Sequence, residues 1–194
     1  MRFEDRPMSH RVCPWWVGYL LLSPLRRLVQ DPRAWLGPFV REGMVVLEPG
    51  PGMGFYTLDV ARMVGPSGRV VAVDVQEKML AALRRRAVRA GLADRIDLRR
   101  ARPDGLGIDD LAGRVDLVVA IFVVHEMADA ESFFAEAWRA LRPGGRLLFA
   151  EPRLHVPRKR FERAVAAAER AGFAREEGFR FPSTQRAVFA RPAS

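Results

Sequence analysis

The sequence predicts an α/β fold in which strands alternate with helices. Three stretches carry that expectation. In residues 44–54, MVVLEPGPGMG, an apolar run ends in Glu48 and enters a turn with glycines at 50, 52 and 54. Residues 55–64 then place apolar side chains at Phe55, Leu58, Ala61, Met63 and Val64, a helical spacing, so the unit reads strand, glycine turn, helix. The second stretch, RVVAVD at 69–74, is a strand that ends in an acid about 20 residues beyond the last glycine of that turn. The third, VDLVVAIF at 115–122, is nearly all apolar, as a central strand covered on both faces should be.

A length of 194 residues suits about one domain, and 49% hydrophobic content is enough for a sizeable core. Cys13 is the single cysteine, which excludes an intrachain disulfide framework and a cysteine-based metal site. The opening MRFEDRPMSH mixes charges and does not read as a secretory signal, so a cytoplasmic location is expected. The net charge of +9 comes almost wholly from arginines spread along the chain, Lys78 and Lys159 being the only lysines. That dispersion argues against nucleic acid as the partner.

Residues 1–42 read as a helical N-terminal extension, and 43–194 as the main domain. Within the extension, VCPWWVGYLLLSPLRRLV at 12–29 gathers Trp15, Trp16 and Tyr19 ahead of Arg26 and Arg27. Three uses fit this composition: short helices packed on the core, a lid whose aromatic side chains line a substrate pocket, or peripheral contact with a membrane surface. The apolar part is too short to span a bilayer, which takes about 20 residues. Asp31 and Pro32 then open a helix expected over 31–42, which Gly43 ends.

The glycine turn distinguishes nucleotides. A dinucleotide turn has the form G-x-G-x-x-G. Here it is E-x-G-x-G-x-G with Phe55 following, and Pro51 has no N–H to offer a phosphate. After the 65–68 turn and the second strand, Asp74 has the residue type and place to accept from two vicinal ribose hydroxyls; the competing use is to cap the next helix. That helix, 75–91, sets Val75, Met79, Leu80, Leu83, Ala87 and Val88 on one side and Arg84, Arg85, Arg86 and Arg89 toward water, with Gly91 as its cap.

A third strand covers 96–100 and leads into the loop Ala101, Arg102, Pro103, Asp104. Ligands of open α/β sheets bind outside the carboxyl ends of the strands, so Ala120, Ile121, Phe122 and His125 are expected to border the pocket. A helix over 129–141 points Phe133, Phe134, Ala137, Trp138 and Leu141 inward. A turn at 142–145, a strand at 146–151, a helix at 157–171 and a strand pair at 173–181 and 185–191 complete the chain.

Taken together, E-x-G-x-G-x-G, the acid Asp74, the apolar fourth strand running into V-H-E at 124–126, and L-R-P-G-G-R-L-L at 141–148 resemble the class I S-adenosylmethionine-dependent methyltransferases. The resemblance runs over about 43–191 and is nearest to small members related to the ubiquinone/menaquinone C-methyltransferases. It implies a Rossmann-like three-layer sandwich: a seven-stranded, mostly parallel sheet with helices on both faces and an antiparallel hairpin at one edge. It implies S-adenosyl-L-methionine as cofactor, and no metal. Glu48, Gly50, Gly52 and Gly54 are then expected to contact its methionine portion and Asp74 its ribose. Val75, Met79, Ala120 and Ile121 complete the expected cofactor site. Where the family commonly carries an acid for the adenine amino group, this chain has Arg102, with Asp104 two residues on.

His125 is the candidate general base. Trp15, Trp16, Tyr19, Phe122 and His125 are the expected substrate pocket. The acceptor implied is a small, apolar or aromatic molecule methylated by in-line displacement. The absence of an N/D-P-P-Y/F/W run after the fourth strand argues against amino-methylating enzymes acting on DNA or glutamine, and the lone Cys13 against cysteine-dependent chemistry. Arg102 keeps a non-catalytic, methyltransferase-like interaction module open as the alternative, with RNA- or protein-directed methylation behind it.

Overall fold

The computed structural model describes residues 16, 22–23, 25–176 and 184–193. Two short helices, α1 (Arg26–Val29) and α2 (Pro32–Leu36), precede β1 (Val45–Pro49), α3 (Thr57–Met63), β2 (Arg69–Asp74), α4 (Glu77–Arg89) and β3 (Ile96–Arg100). β4 (Val115–Ile121), α5 (Ala130–Ala140), β5 (Leu141–Pro152), α6 (Arg158–Arg170), β6 (Ala174–Glu176) and β7 (Thr184–Ala190) follow. The strands form one seven-stranded sheet in the order β3-β2-β1-β4-β5-β7-β6. The first five are parallel, while β7 runs antiparallel to both β5 and β6. The fold is therefore the Rossmann-like, mostly parallel sandwich with an antiparallel edge. Strand order reverses between β1 and β4, the point at which such sheets open a crevice at their carboxyl ends.

Helices cover both faces, which is why β1 and β2 are buried nearly end to end rather than alternately. On one face Trp35, Leu36, Phe39, Val60 and Leu83 pack against Val46, Val70 and Leu117. On the other, Phe133, Phe134, Phe161 and Val165 from α5 and α6 pack against Val118, Leu147 and Phe149. Trp35 and Leu36 are 4% and 0% exposed, so α2 belongs to the core. Among the described residues no helix is long and apolar enough to cross a membrane.

Several local expectations are corrected. The helix expected over 31–42 covers only Pro32–Leu36. Asp31 does cap it, its carboxylate accepting from the Arg33 N–H at 3.0 Å. Pro38, lacking an N–H, stops its hydrogen-bond ladder. In α4, Met79, Leu80, Leu83 and Ala87 are buried, but Val88 is 62% exposed. The rotation of about 100° per residue carries Val88 off the buried stripe. Val75 precedes the helix and is 51% exposed.

The turn expected at 142–145 lies inside β5 instead. The pairing with β4 steps from Val115↔Leu141 to Leu117↔Arg146, leaving the intervening residues as a bulge. The backbone of Arg191 holds that bulge, its C=O accepting from the Gly144 N–H and its N–H donating to the Gly145 C=O. Of the final pair, β6 is shorter than expected as far as it is described, and residues 177–181 of that expectation lie outside the described residues.

Arg191 also closes the end of α5. Its Nη1 donates to the carbonyls of Trp138 and Leu141 at 2.9 and 2.6 Å, and its guanidinium lies 3.8 Å from the Trp138 ring centroid. These carbonyls have no intrahelical partner, so the cation satisfies groups that a helix end leaves open. Arg191→Ala should lower stability by about 2 kcal/mol. Urea unfolding would show this as a lower midpoint with an unchanged slope.

Candidate active site

The glycine turn leaves β1 with the Gly50 N–H on the Val73 carbonyl at 2.8 Å. Gly50 and Gly52 have φ of 62° and 55°, the left-handed region that only glycine enters freely. A Cβ on Gly50 would stand 2.3 Å from Val123 Cγ2, whereas one on Gly52 would meet nothing within 4 Å. The two glycines thus do different work: the first admits the loop after β4, and the second borders open space. Gly54 turns away from the opening and packs its Cα against α4, where a Cβ would come within 2.3 Å of Leu83 Cδ1.

Two adjoining cavities lie over this turn. The larger, of about 520 Å³, is bordered by Gly52, Asp74, Val75, Met79, Arg102 and Glu126, among others. The smaller, of about 100 Å³, is bordered by Arg26, Glu48, Phe55, Tyr56, Ile121 and others. Gly50, Gly52, Met79 and Phe122 border both.

Asp74 is 7% exposed and ties the turn to β2. Its Oδ2 accepts from the Gly52 N–H at 3.2 Å and its Oδ1 from the Gln76 N–H at 2.8 Å, just ahead of α4. Burial raises its carboxyl from 3.8 to about 6; the two N–H donors oppose the rise and the charge of Glu126 adds to it. Glu48, 4% exposed, ends β1 inside the smaller cavity. Burial raises it from 4.5 to about 7, against the Thr57 hydroxyl and with the charge of Asp74. Thr57 stands close enough to ease the charged form, yet neither its Oγ1 nor Glu48 Oε2 completes a hydrogen bond among the described residues. That carboxylate oxygen is buried without a donor.

Arg26, Phe55 and Tyr56 join the site although no sequence pattern singled them out. The Arg26 guanidinium carbon lies 4.1 Å from the Phe55 centroid, and its Nε donates to Gln30 Oε1 at 2.6 Å. Burial pushes Arg26 below its ordinary value. Tyr56 donates to the same Gln30 oxygen at 3.3 Å and stacks on Trp35. Phe122 closes the group edge-on to Trp35. Its φ of 60° is unusual for an aromatic residue and costs on the order of 1–3 kcal/mol.

The remaining expected residues are placed as follows. Ala120 is fully buried beneath the site and borders neither cavity. Arg102 borders the larger one but directs Nη1 to Asp109 at 3.4 Å, while its backbone bridges Gly105; Asp104 borders the same cavity. Trp16 is 57% exposed and borders neither. Trp15 and Tyr19 lie outside the described residues. His125 is separated from the other expected site residues. It borders a third cavity, of about 510 Å³, between α5 and α6, with Glu151 and Arg160. Glu126, the next residue, faces the cleft.

An open crevice at the β1/β4 reversal, a three-glycine turn and buried acids at the ends of β1 and β2 define a nucleotide-binding enzyme fold. Residues 47–149, more than half of the chain, match the methyltransferase-domain family, and the chain belongs to it. The ubiquinone/menaquinone biosynthesis C-methyltransferase UbiE of Hahella chejuensis is 37% identical over 112 residues, 58% of this chain and 44% of that protein. UbiE of Pasteurella multocida is 32% identical over 112 residues, 58% of this chain and 41% of that protein. The match thus spans less than half the length of these relatives. A SAM-dependent methyltransferase from Aquifex aeolicus shares the fold, with a TM-score of 0.81, 24% identity, and coverage of 92% of this chain and 98% of that one.

Proposed function

We propose that the protein methylates a small apolar or aromatic acceptor, at carbon, using S-adenosylmethionine. One observation carries the reading. A single glycine turn joins two cavities: a small one holding Arg26 beside the buried Glu48, whose Oε2 lacks a donor, and a large one holding the Asp74 carboxylate beside apolar walls. The first fits a zwitterionic amino-acid end and the second a nucleoside. The carbon acceptor is supported by the similarity to C-methyltransferases, and its apolar character by Phe122, which borders both cavities.

In this reading Glu48, once ionised, takes the ammonium of the methionine end, and Arg26 its carboxylate; both are charge-assisted bonds in a site shielded from water. Asp74 keeps lone pairs beyond those used by Gly52 and Gln76, and these accept from the ribose. Val75 and Met79 flank the adenine, with Arg102 and Asp104 at its edge. The cofactor supplies a methyl group on a positively charged sulfur. The protein's part is then placement and exclusion of water, and alignment of reactants is worth on the order of 7–11 kcal/mol in favourable systems. A proton given up by the acceptor has Glu126 as a carboxylate on the cleft wall, His125 being turned to the other cavity. Leu25, Leu28 and Val29 are exposed and suit contact with a membrane surface, while Leu22 and Arg26 border the smaller cavity.

Calorimetric titration tests the reading. S-adenosylmethionine and S-adenosylhomocysteine should bind with micromolar affinity and NAD should not. Asp74→Ala should weaken both by about a hundredfold, the loss of a pair of charge-assisted bonds. Binding of NAD in their place, or of none of the three, would reject the assignment.

A further inference from the structure

The loop that joins β4 to α5 forms one wall of the cleft through Phe122, Val123 and Glu126, yet its fixings lie behind that wall. Besides the Phe122 N–H on the Ala150 carbonyl at 2.8 Å, these fixings centre on His125. The His125 N–H donates to Glu151 Oε1 at 3.0 Å, and its Nδ1 lies 2.6 Å from Glu151 Oε2. In that second bond Glu151 Oε2 can accept from Nδ1–H, the tautomer that leaves both Glu151 oxygens as acceptors. The His125 carbonyl accepts from Arg160 Nη2 at 2.6 Å. Two residues outside the loop therefore hold the N–H, the C=O and the ring of one residue within it. Glu151 ends β5 at 1% exposure with both oxygens used on His125, and Arg160 reaches over from the first turns of α6. Neither borders the cofactor cavities; both border the cavity between α5 and α6.

His125 stands between the two loop residues that matter most to the cleft. Two positions before it, Val123 occupies the space that only a glycine at position 50 leaves. One position after it, Glu126 faces the cleft. A carbonyl two residues earlier in the loop, that of Val123, accepts from the Glu126 N–H at 2.9 Å, so the loop turns as a unit about His125. Phe122 contributes a φ of 60°, a conformation the surroundings must enforce.

The geometry points to Glu151 and Arg160 as positioning residues of the methyl-transfer site. They hold the His125 backbone, and through it they seat Val123 on Gly50 and Glu126 in the cleft before the cofactor arrives. This rests on the cleft being the S-adenosylmethionine site. The bonds themselves separate positioning from chemistry. In Glu151→Gln the amide oxygen still accepts from the His125 N–H, and the amide NH2 donates to Nδ1 of the other ring tautomer, so both bonds survive without the charge. Glu151→Ala removes both.

The test is calorimetry with S-adenosylhomocysteine on Glu151→Ala, Glu151→Gln and Arg160→Ala, at a temperature where circular dichroism shows each folded. It is paired with amide hydrogen exchange of the His125 and Glu126 N–H groups without ligand. Glu151→Ala should bind about tenfold more weakly or worse, as misplaced site groups do. Arg160→Ala should bind about fivefold more weakly, and Glu151→Gln within about threefold of the parent. Exchange should speed up in both alanine variants and not in the glutamine one. Parent-like affinity and exchange in the alanine variants would overturn the proposal, as would a glutamine variant as weak as the alanine one. Should Glu151→Ala fail to fold, Arg160→Ala and Glu151→Gln decide by the same criteria. Failure of the parent chain to bind S-adenosylhomocysteine would instead reject the cofactor assignment, while the exchange rates still test the loop fixings.

Discussion

Gly50→Ala should abolish measurable cofactor binding and lower stability by about 3 kcal/mol or more. Two penalties add at this position. An L-residue at φ 62° costs roughly 1–2 kcal/mol, and a Cβ 2.3 Å from Val123 Cγ2 and 3.0 Å from Val123 Cβ adds overpacking of roughly 1–3 kcal/mol. Val123 cannot simply retreat. The Phe122 N–H is bonded to the Ala150 carbonyl at 2.8 Å, and His125 is bonded to Glu151 and Arg160. Relief therefore moves the cleft wall, and the loss of affinity follows from the loss of fold geometry.

Gly52→Ala is the informative comparison. Its backbone is equally left-handed, but its Cβ meets nothing within 4 Å. Stability should fall by about 1–2 kcal/mol, the backbone cost alone, while the added methyl enters the space over the turn and weakens the ligand. Urea unfolding beside calorimetry separates the two variants. The double variant Gly50→Ala/Val123→Ala should recover about 1–2 kcal/mol relative to the single one, since the clash has lost one partner. Equal stability losses at positions 50 and 52, or no recovery in the double variant, would show that Val123 does not set the requirement for glycine.

The contrast between these glycines also shows what a sequence carries. The turn could be read because left-handed backbone restricts residue type, and E-x-G-x-G-x-G is the visible result. Asp74 could be read because a strand length and a helix length fix its distance from the turn, whatever packs around them. The apolar character of β1, β2 and β4 could be read because burial on both faces admits few residue types. The same reasoning failed where the outcome depends on which distant side chains meet. Arg26 stood in the sequence only as a cation after the aromatic cluster of residues 12–29, and the approach of Phe55, Tyr56 and Gln30 makes it part of the site. His125 sits in a loop expected to border the pocket, but the direction of its ring is set by Glu151, a residue 26 positions away on β5. The bulge in β5 depends in turn on Arg191, near the other end of the sheet's sequence. Local pattern specifies elements and their order; long-range hydrogen bonds decide which side of an element does the work.

Glu48→Gln should stabilise the ligand-free protein at pH 8 and weaken its hold on the cofactor. The carboxyl is raised from 4.5 to about 7 chiefly by burial, so the folded state favours the protonated form. Its contribution to stability is fully present below pH 4.5 and is lost as the pH rises through about 7. A difference of that size corresponds to about 3 kcal/mol. Asp74, raised from 3.8 to about 6, acts in the same direction over a lower window, its contribution gone once the pH exceeds about 6. The ligand-free protein should therefore be less stable at pH 8 than near pH 5 on account of these two groups, and the glutamine variant should show a smaller difference. Binding has the opposite requirement, because an ammonium is held by the ionised carboxylate. Affinity for S-adenosylhomocysteine should rise with pH until about 7, with protons released on binding below that value, measurable as a buffer-dependent heat. In Glu48→Gln that pH dependence should largely vanish and the affinity at pH 8 fall by about 10- to 100-fold, the range expected when a charged hydrogen bond is replaced by a neutral one. Parent-like affinity in the variant would remove Glu48 from the ammonium, and unchanged stability would mean that a donor already compensates its charge in the free protein. The two expected changes have opposite signs because they have one cause: an acid kept away from water and left without a donor destabilises the empty fold in proportion to how strongly it can hold a cation when one arrives.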